Sequence, residues 1–437
     1  MSDSTIGLPA FAGAPSSTEP RSAAAAAPEA ASTERLHALD AVRGFALLLG
    51  IVFHATMSFI VAPQQMWLIV DKSPSTTLTI FFFVSHMFRM ATFFLIAGFF
   101  AHLMFHRRGE RGFVRDRLKR IGLPLLAGWP VLCAALVACA IWGAFVMNGG
   151  KLPPAPPADP NAPPLAFPLT HLWFLYVLLW FYGLTLLVRR LVERVDPHGR
   201  ARARLDRLVG ALVRHPLGIV VLAAPTFAGL CALATWRPWF GIPTPDGSLL
   251  PNIGAFMAFS SAFAFGWLLH RQMALLAVLE RRWPVHLALA IVATTGCVAH
   301  LGLSANLDVA PHDLATLAYA AGYALAVWSW TFAVIGVALR YLSGYSAARR
   351  YIADASYWLY LIHMPIVLAL QIVFSQLEWH WTIKFASILA IAFPLMLTTY
   401  RYCVRSTFIG AVLNGRRYPR TLPAEGTTRP ARLEGAA

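Results

Sequence analysis

The sequence predicts an all-α fold, a polytopic membrane helix bundle with about ten transmembrane helices. Three observations predict it. The 437 residues are 58% hydrophobic and 13% charged, far from the balance of a soluble domain. Apolar stretches of roughly 20 residues, enough to cross a hydrocarbon layer of about 30 Å, recur along the chain. Of the 36 Lys and Arg, 30 fall in the N-terminal tail, the C-terminal region or the loops after every second span. Lys72, Lys151, Arg237 and Lys384 occupy the opposite loops, and Arg43 and Arg89 lie inside spans. That asymmetry is the positive-inside pattern and puts both termini in the cytoplasm. The formal charge of +16 is therefore topogenic. A nucleic-acid partner would need a basic face with base-reading or stacking groups outside the membrane, which the sequence does not offer.

The ten spans run from Asp40 to Ala62, Leu78 to Leu103, Ile121 to Met147, Leu169 to Leu191, Pro216 to Thr235, Leu249 to His270, Pro284 to Leu303, Asp313 to Arg340, Asp354 to Phe374 and Thr382 to Cys403. Residues 1–35, rich in Ala, Ser, Thr and Pro, are expected to form a disordered cytoplasmic tail. Residues 36–411 make the membrane domain, and 412–437, polar and ending in Arg, Pro and Gly, a cytoplasmic C-terminal tail. No apolar run with a small-residue cleavage site precedes the first span, which itself directs insertion.

The first span carries Arg43 and His54 in one apolar run, where ionisable groups are expensive and presumed functional. At about 100° per residue, eleven steps return nearly to the starting direction over a rise of about 16 Å. Both side chains share one face at two depths, Arg43 near the cytoplasmic headgroups and His54 in the outer half. Asp40, one turn from Arg43, is placed to pair with it. On the plainer reading Arg43 only snorkels to the interface. The second span runs the other way and repeats the pattern with His86 and Arg89, so His54 and His86 face one cavity at similar depth. A buried Arg89 must find water or partners. His102, His106 and His270 sit at cytoplasmic ends and read as interfacial.

Beyond the second span, Arg117 and Arg120 stand one turn apart in Phe113-Val-Arg-Asp-Arg-Leu-Lys-Arg. Guanidinium forks suit phosphates, although topology control explains basic residues there equally well. The third span ends before the Pro-rich stretch Gly149 to Pro164, expected to be an extended extracytoplasmic loop. The fourth opens with Thr170-His-Leu-Trp-Phe-Leu-Tyr, which puts His171 and Trp173 at the outer surface, either as interface anchors or as groups that stack on and hydrogen-bond a sugar. The loop from Arg189 to His215 carries eight arginines and reads as an amphipathic helix against anionic headgroups, membrane lipid being its partner. The five cysteines, scattered through apolar spans without metal-ligand spacing, read as small buried residues. In the ninth span Ser356, Tyr360 and His363 share a stripe leading to Pro365, which frees a backbone carbonyl and suggests a path lining.

The chain resembles the acyltransferase-3 family of bacterial multi-pass membrane O-acyltransferases. The resemblance rests on Leu39-Asp-Ala-Val-Arg-Gly followed by His54, Phe94-Leu-Ile-Ala-Gly-Phe-Phe, Arg117-Leu-Lys-Arg120-Ile, His171-Leu-Trp-Phe-Leu and Ser356-Tyr-Trp-Leu-Tyr-Leu-Ile-His-Met-Pro, in order across the bundle. The segments at His171 and at Ser85-His86-Met87-Phe88-Arg89 look most similar to the branch that succinylates osmoregulated periplasmic glucans. The resemblance implies an inner-membrane enzyme that moves an acyl group from cytoplasmic acyl-CoA, succinyl-CoA or acetyl-CoA, to a hydroxyl of an extracytoplasmic polysaccharide or oligosaccharide, without a metal. By resemblance, His54 is the catalytic histidine, Arg43 its essential companion, and Arg117 and Arg120 belong to the donor motif.

The chemistry needs a base near neutral pKa to take the proton of an attacking alcohol, and histidine suits it. His54 acts either as that base or as a covalent acyl carrier. His86 or Arg89, at matching depth, are the candidates to stabilise the oxyanion. Tyr360 and His363, with His171 and Trp173, are the expected acceptor contacts. Intramembrane His and Arg also suit a proton-coupled transporter of a glycan or an anionic small molecule, although paired broken helices in two related halves, common in transporters, are not evident.

Overall fold

The computed structural model describes residues 23–63, 66–154, 167–311 and 313–419, with side chains from Leu36 onward. Among these residues all regular structure is helical. The chain folds into α1 (Ala23–Thr56), α2 (Thr76–Arg117), α3 (Leu123–Met147), α4 (Trp173–Val195), α5 (Arg200–Arg214), α6 (Gly218–Cys231), α7 (Ile253–His270), α8 (Leu276–Leu301), α9 (Leu314–Tyr341), α10 (Ala347–Ser375), α11 (Trp381–Thr399) and α12 (Phe408–Leu413). Helix is what lipid demands, because it satisfies every backbone group within its own segment.

By length and apolarity eight described helical units cross a membrane, or nine with the bent pair α5–α6. One unit, Thr76–Met147, is 72 residues long, far beyond what a layer of about 30 Å requires. It is a two-crossing unit without a loop. Gly109, at φ 66°, breaks the helix in a conformation that favours glycine, and a π-helical turn, Leu118–Gly122, leads into α3. α3 then returns to the level where α2 began, since Gly143 lies against Leu68 and Ile69 of the α1–α2 loop. Counted as two crossings, that unit raises the eight to nine, and the expected segment from Pro216 to Thr235 is represented only by the bent α5–α6 pair.

The inner helices are α9 and α10, mostly buried, whereas α8 and α11 present mostly exposed apolar side chains. α1 packs on α10 and α2 on α7. The second contact is backbone to backbone: a Cβ at Gly98 would sit 2.0 Å from the Phe263 carbonyl oxygen, and one at Gly266 1.9 Å from that of Leu95. Such close approach through small residues is how membrane helices pack without a hydrophobic drive. It fixes the face of α2 that carries His86 and Arg89.

Several expectations change. The N-terminal tail was expected to lack structure, yet the backbone from Ala23 is already helical, as a run of alanines favours; residues 1–22 lie outside the described residues. The segment from Pro216 to Thr235 is no continuous span. α6 has 14 residues and meets α5 at 105°, because Pro216 and Gly218 start it and the chain then bends toward Gly241, whose carbonyl accepts from Trp236 Nε1 at 2.7 Å. The arginine-rich loop does form a helix, α5, with Val209 and Val213 buried. Asp196 caps its start; the Arg202 backbone N–H holds that carboxyl below the usual range. The C-terminal region docks: Arg120 donates to the Leu413 carbonyl, and Tyr418 bonds Asp354. Residues 420–437, and 155–166 of the Pro-rich loop, lie outside the described residues. Lys384, assigned to a loop, is fully buried and paired with Asp71 at 2.8 Å, while Cys403 is exposed.

Candidate functional site

Two cavities meet inside the bundle. The larger, about 620 Å³, is lined by His54, His86, Arg89, His171, Tyr360 and His363 among others. The other, about 410 Å³, is lined by five arginines, Arg43, Arg107, Arg117, Arg120 and Arg350. Leu47, Phe93, Phe174 and Tyr360 line both, and the Phe93 and Phe174 ring centroids are 4.8 Å apart. An aromatic neck thus separates a histidine-lined chamber from an arginine-rich one.

The chamber is built from the helical stripes. His54 and Gly50 share the inward face of α1, and the missing side chain at Gly50 leaves room for Arg89, whose Nη1 would lie 3.1 Å from a Cβ there. Arg89 rests over the Phe53 ring at 4.5 Å. Its Nε has no hydrogen-bond partner, and none of the ion pairs among the described residues involves it. An uncompensated guanidinium in a bundle interior is costly. It is the charge a ligand anion would meet.

His171 and Trp173, expected at the outer surface, are drawn inward into the chamber wall, each 7% exposed. The reason lies in Pro365, which removes an N–H from α10 and orphans the carbonyl of Leu361 four residues back. His171 Nε2 donates to that carbonyl at 2.9 Å, and Tyr360 donates its hydroxyl proton to the His171 carbonyl at 2.7 Å. His363 donates from Nδ1 to the Tyr360 carbonyl at 2.6 Å. The His363 ring lies 5.2 Å from both His54 and His171. Trp173 stacks on Phe259 at 5.7 Å, so one face of its ring is already taken.

Sequence reasoning missed Gln371. This buried amide donates from Nε2 to the carbonyls of His54, at 2.9 Å, and Ala55, at 3.3 Å, and accepts from Trp67 Nε1 at 3.0 Å. α1 ends at Thr56, leaving its last carbonyls without helical donors; Gln371 supplies them. Trp67 in turn lies over His54, with ring centroids 6.4 Å apart. An amide in an apolar run was the available signal.

The arginine-rich cavity is better compensated, although Arg117 Nε is buried without a partner. Arg43 pairs with Asp40 at 3.0 Å, and Arg350 with Asp40 and Asp354 at 3.4 Å each. Arg117 pairs with Asp116 at 2.6 Å, while Arg120 holds the Leu413 carbonyl through two nitrogens at 3.2 and 3.0 Å. Arg43, expected on the face of His54 but nearer the cytoplasmic headgroups, does not line the chamber. It instead joins Arg117 and Arg120, because the eleven-residue separation spans the neck. His102 Nδ1 lies 2.7 Å from His270 Nδ1 and His106 Nε2 3.1 Å from His102 Nε2, and His102 and His106 line a third cavity with apolar residues of α4 and α7. Among the described residues no group of three or more His, Cys, Asp or Glu is placed to hold a metal ion.

A histidine-lined chamber inside a bundle of membrane-crossing helices, bordered by a basic cavity, defines a multi-pass membrane protein with a polar interior site. The chain belongs to the acyltransferase-3 family: the family's acyltransferase domain matches residues 36–401, and the protein is an acyltransferase of groups other than amino-acyl groups. It is similar to the glucans biosynthesis protein C of Escherichia coli O139:H28 (strain E24377A / ETEC), 26% identical over 351 residues that cover 77% of this chain and 83% of that relative. The protein of the same name from Escherichia coli strain SMS-3-5 is 33% identical over 147 residues, 33% of this chain and 37% of the relative, as is that of Shigella dysenteriae serotype 1 strain Sd197. No solved structure matches the chain.

Proposed function

We propose that the protein transfers an acyl group, succinyl or acetyl, from cytoplasmic acyl-CoA to a hydroxyl of an extracytoplasmic glycan, a periplasmic glucan by analogy with the similar proteins, across the bacterial inner membrane with both termini cytoplasmic. The observation that carries this reading is the junction of the two cavities. Arginines at one end suit the phosphates of the coenzyme, Tyr360 and Phe93 border both cavities where a slender thioester arm would cross, and the chamber beyond offers His54. In the reaction the acceptor oxygen bonds to the thioester carbonyl carbon while its proton passes to His54. The C–S bond then breaks, and the coenzyme thiolate leaves and takes a proton back from the imidazolium. His86 and Arg89 are the groups available to the oxyanion. If His54 instead carries the acyl group, isotopically labelled donor without acceptor leaves label on the protein.

The test is mass spectrometry of periplasmic glucans and surface glycans from cells lacking the gene, complemented with wild type or His54→Ala. An acyl mass increment that disappears on deletion and returns with wild type alone supports transfer and names the donor. Glycans unchanged in mass but displaced between compartments would make the protein an exporter.

A further inference from the structure

We propose that Thr170, His171 and His363 form the acceptor subsite of the chamber and take neighbouring hydroxyls of one sugar ring, with Thr170 held in a strained backbone to present its hydroxyl. This rests on the acyltransferase reading above.

Thr170 is the one non-glycine among the described residues with positive φ, at 54°. A β-branched residue is ill suited to that conformation, which glycine or asparagine adopts readily. Strain of this kind persists where the surroundings over-determine it, and here they do. Leu169 N donates to the Asp246 carbonyl at 2.8 Å and Phe167 N to that of Gly247 at 3.0 Å, while His171 is pinned at both its side chain and its carbonyl. The strained residue lines the chamber, and its Oγ1 is buried without a partner.

The two imidazoles complete the set. Because His171 donates from Nε2 and His363 from Nδ1 to backbone carbonyls, each neutral ring is locked in one tautomer. The remaining nitrogens, His171 Nδ1 and His363 Nε2, carry lone pairs, and both are buried without partners. Two fixed acceptors and one hydroxyl match a ligand that brings several O–H donors on one rigid ring, next to His54, which abuts His363. A thioester carbonyl, which has no donor, would leave both lone pairs unmet.

Thr170→Gly separates a binding role from a structural one, since glycine relieves the strain while removing the hydroxyl. With full-length protein in detergent, binding of a β-linked glucose oligosaccharide is measured without donor, and acyl-CoA hydrolysis and transfer to that oligosaccharide are measured with succinyl-CoA and acetyl-CoA. Thr170→Gly is expected to melt higher and to bind the oligosaccharide roughly three- to tenfold more weakly, with KM for it raised in step. Thr170→Asn, which tolerates the backbone and restores a polar group, is expected to recover most of the binding. Unchanged oligosaccharide binding in Thr170→Gly, a wild type that does not bind the oligosaccharide, or a lower melting temperature with hydrolysis and transfer falling together overturns the subsite. Binding that discriminates the variants in a protein without thioester turnover would keep the subsite and sink the transferase reading.

Discussion

The two cavities differ in how their charges are answered. In the arginine-rich cavity Arg43, Arg117 and Arg350 are each met by a carboxylate, and Arg117 Nε is its one buried polar side-chain atom without a partner among the described residues. In the histidine-lined chamber Arg89 Nε, His54 Nδ1, His171 Nδ1, His363 Nε2 and Thr170 Oγ1 are all buried without partners. Each such atom costs about 1–3 kcal/mol unless something meets it. The difference is one of unmet polar atoms, which are more numerous in the histidine-lined chamber.

This contrast can be broken most severely at His54. His54→Gln in membranes carrying equal amounts of folded protein is expected to lower acyl transfer by about 10²–10⁴-fold, the usual worth of a positioned base; full activity would move the chemistry elsewhere in the chamber. Arg89 sharpens the contrast, because its lone charge suits the distal carboxylate of a succinyl group. Arg89→Ala should depress succinyl transfer relative to acetyl transfer roughly ten- to hundredfold, as expected for a charge-assisted bond. Equal losses with both donors would remove that role.

A smaller effect is expected at Gln371, which positions His54 through its carbonyl. Gln371→Leu should lower kcat roughly tenfold with acceptor KM little changed, since it frees two buried carbonyls and the Trp67 N–H at once. Combined with Trp67→Phe, the loss should be less than the sum of the single losses. Additive losses would separate the two residues. The smallest effects belong to the compensated side: Arg117→Ala and Arg120→Ala should each raise KM for acyl-CoA roughly three- to tenfold at nearly constant kcat, measured by initial rates over donor concentration. Arg120 should matter less, because its fork is already engaged by Leu413. A fall in kcat of the His54→Gln size would erase the division between the cavities.

Much of this was legible in the chain. The pairing of Asp40 with Arg43 and the shared face of Gly50 and His54 follow from helical phase, and His86 and Arg89 reach the same chamber as His54 because two antiparallel spans place them at one depth. The stripe from Ser356 to His363 does run between cavities, lining first one and then the other. What escaped were contacts between distant segments. Gln371 reaches back to His54, His171 is pulled off the surface by a carbonyl on α10, and residues 412–419, expected as a tail, close the arginine-rich cavity through Leu413 and Asn414.

The sequence by itself determined the helices, the apolar crossings and the register of ionisable groups along each of them, because helical phase and hydrocarbon thickness are local constraints that any stretch of about 20 residues must satisfy. The tertiary structure alone decided which nitrogen of His171 and His363 is spent on the backbone, that Thr170 is strained, and that Arg43 and His54 lie on opposite sides of an aromatic neck. Those outcomes depend on donors and acceptors brought together from segments as far apart as His54 and Gln371, and no local pattern encodes such a pairing.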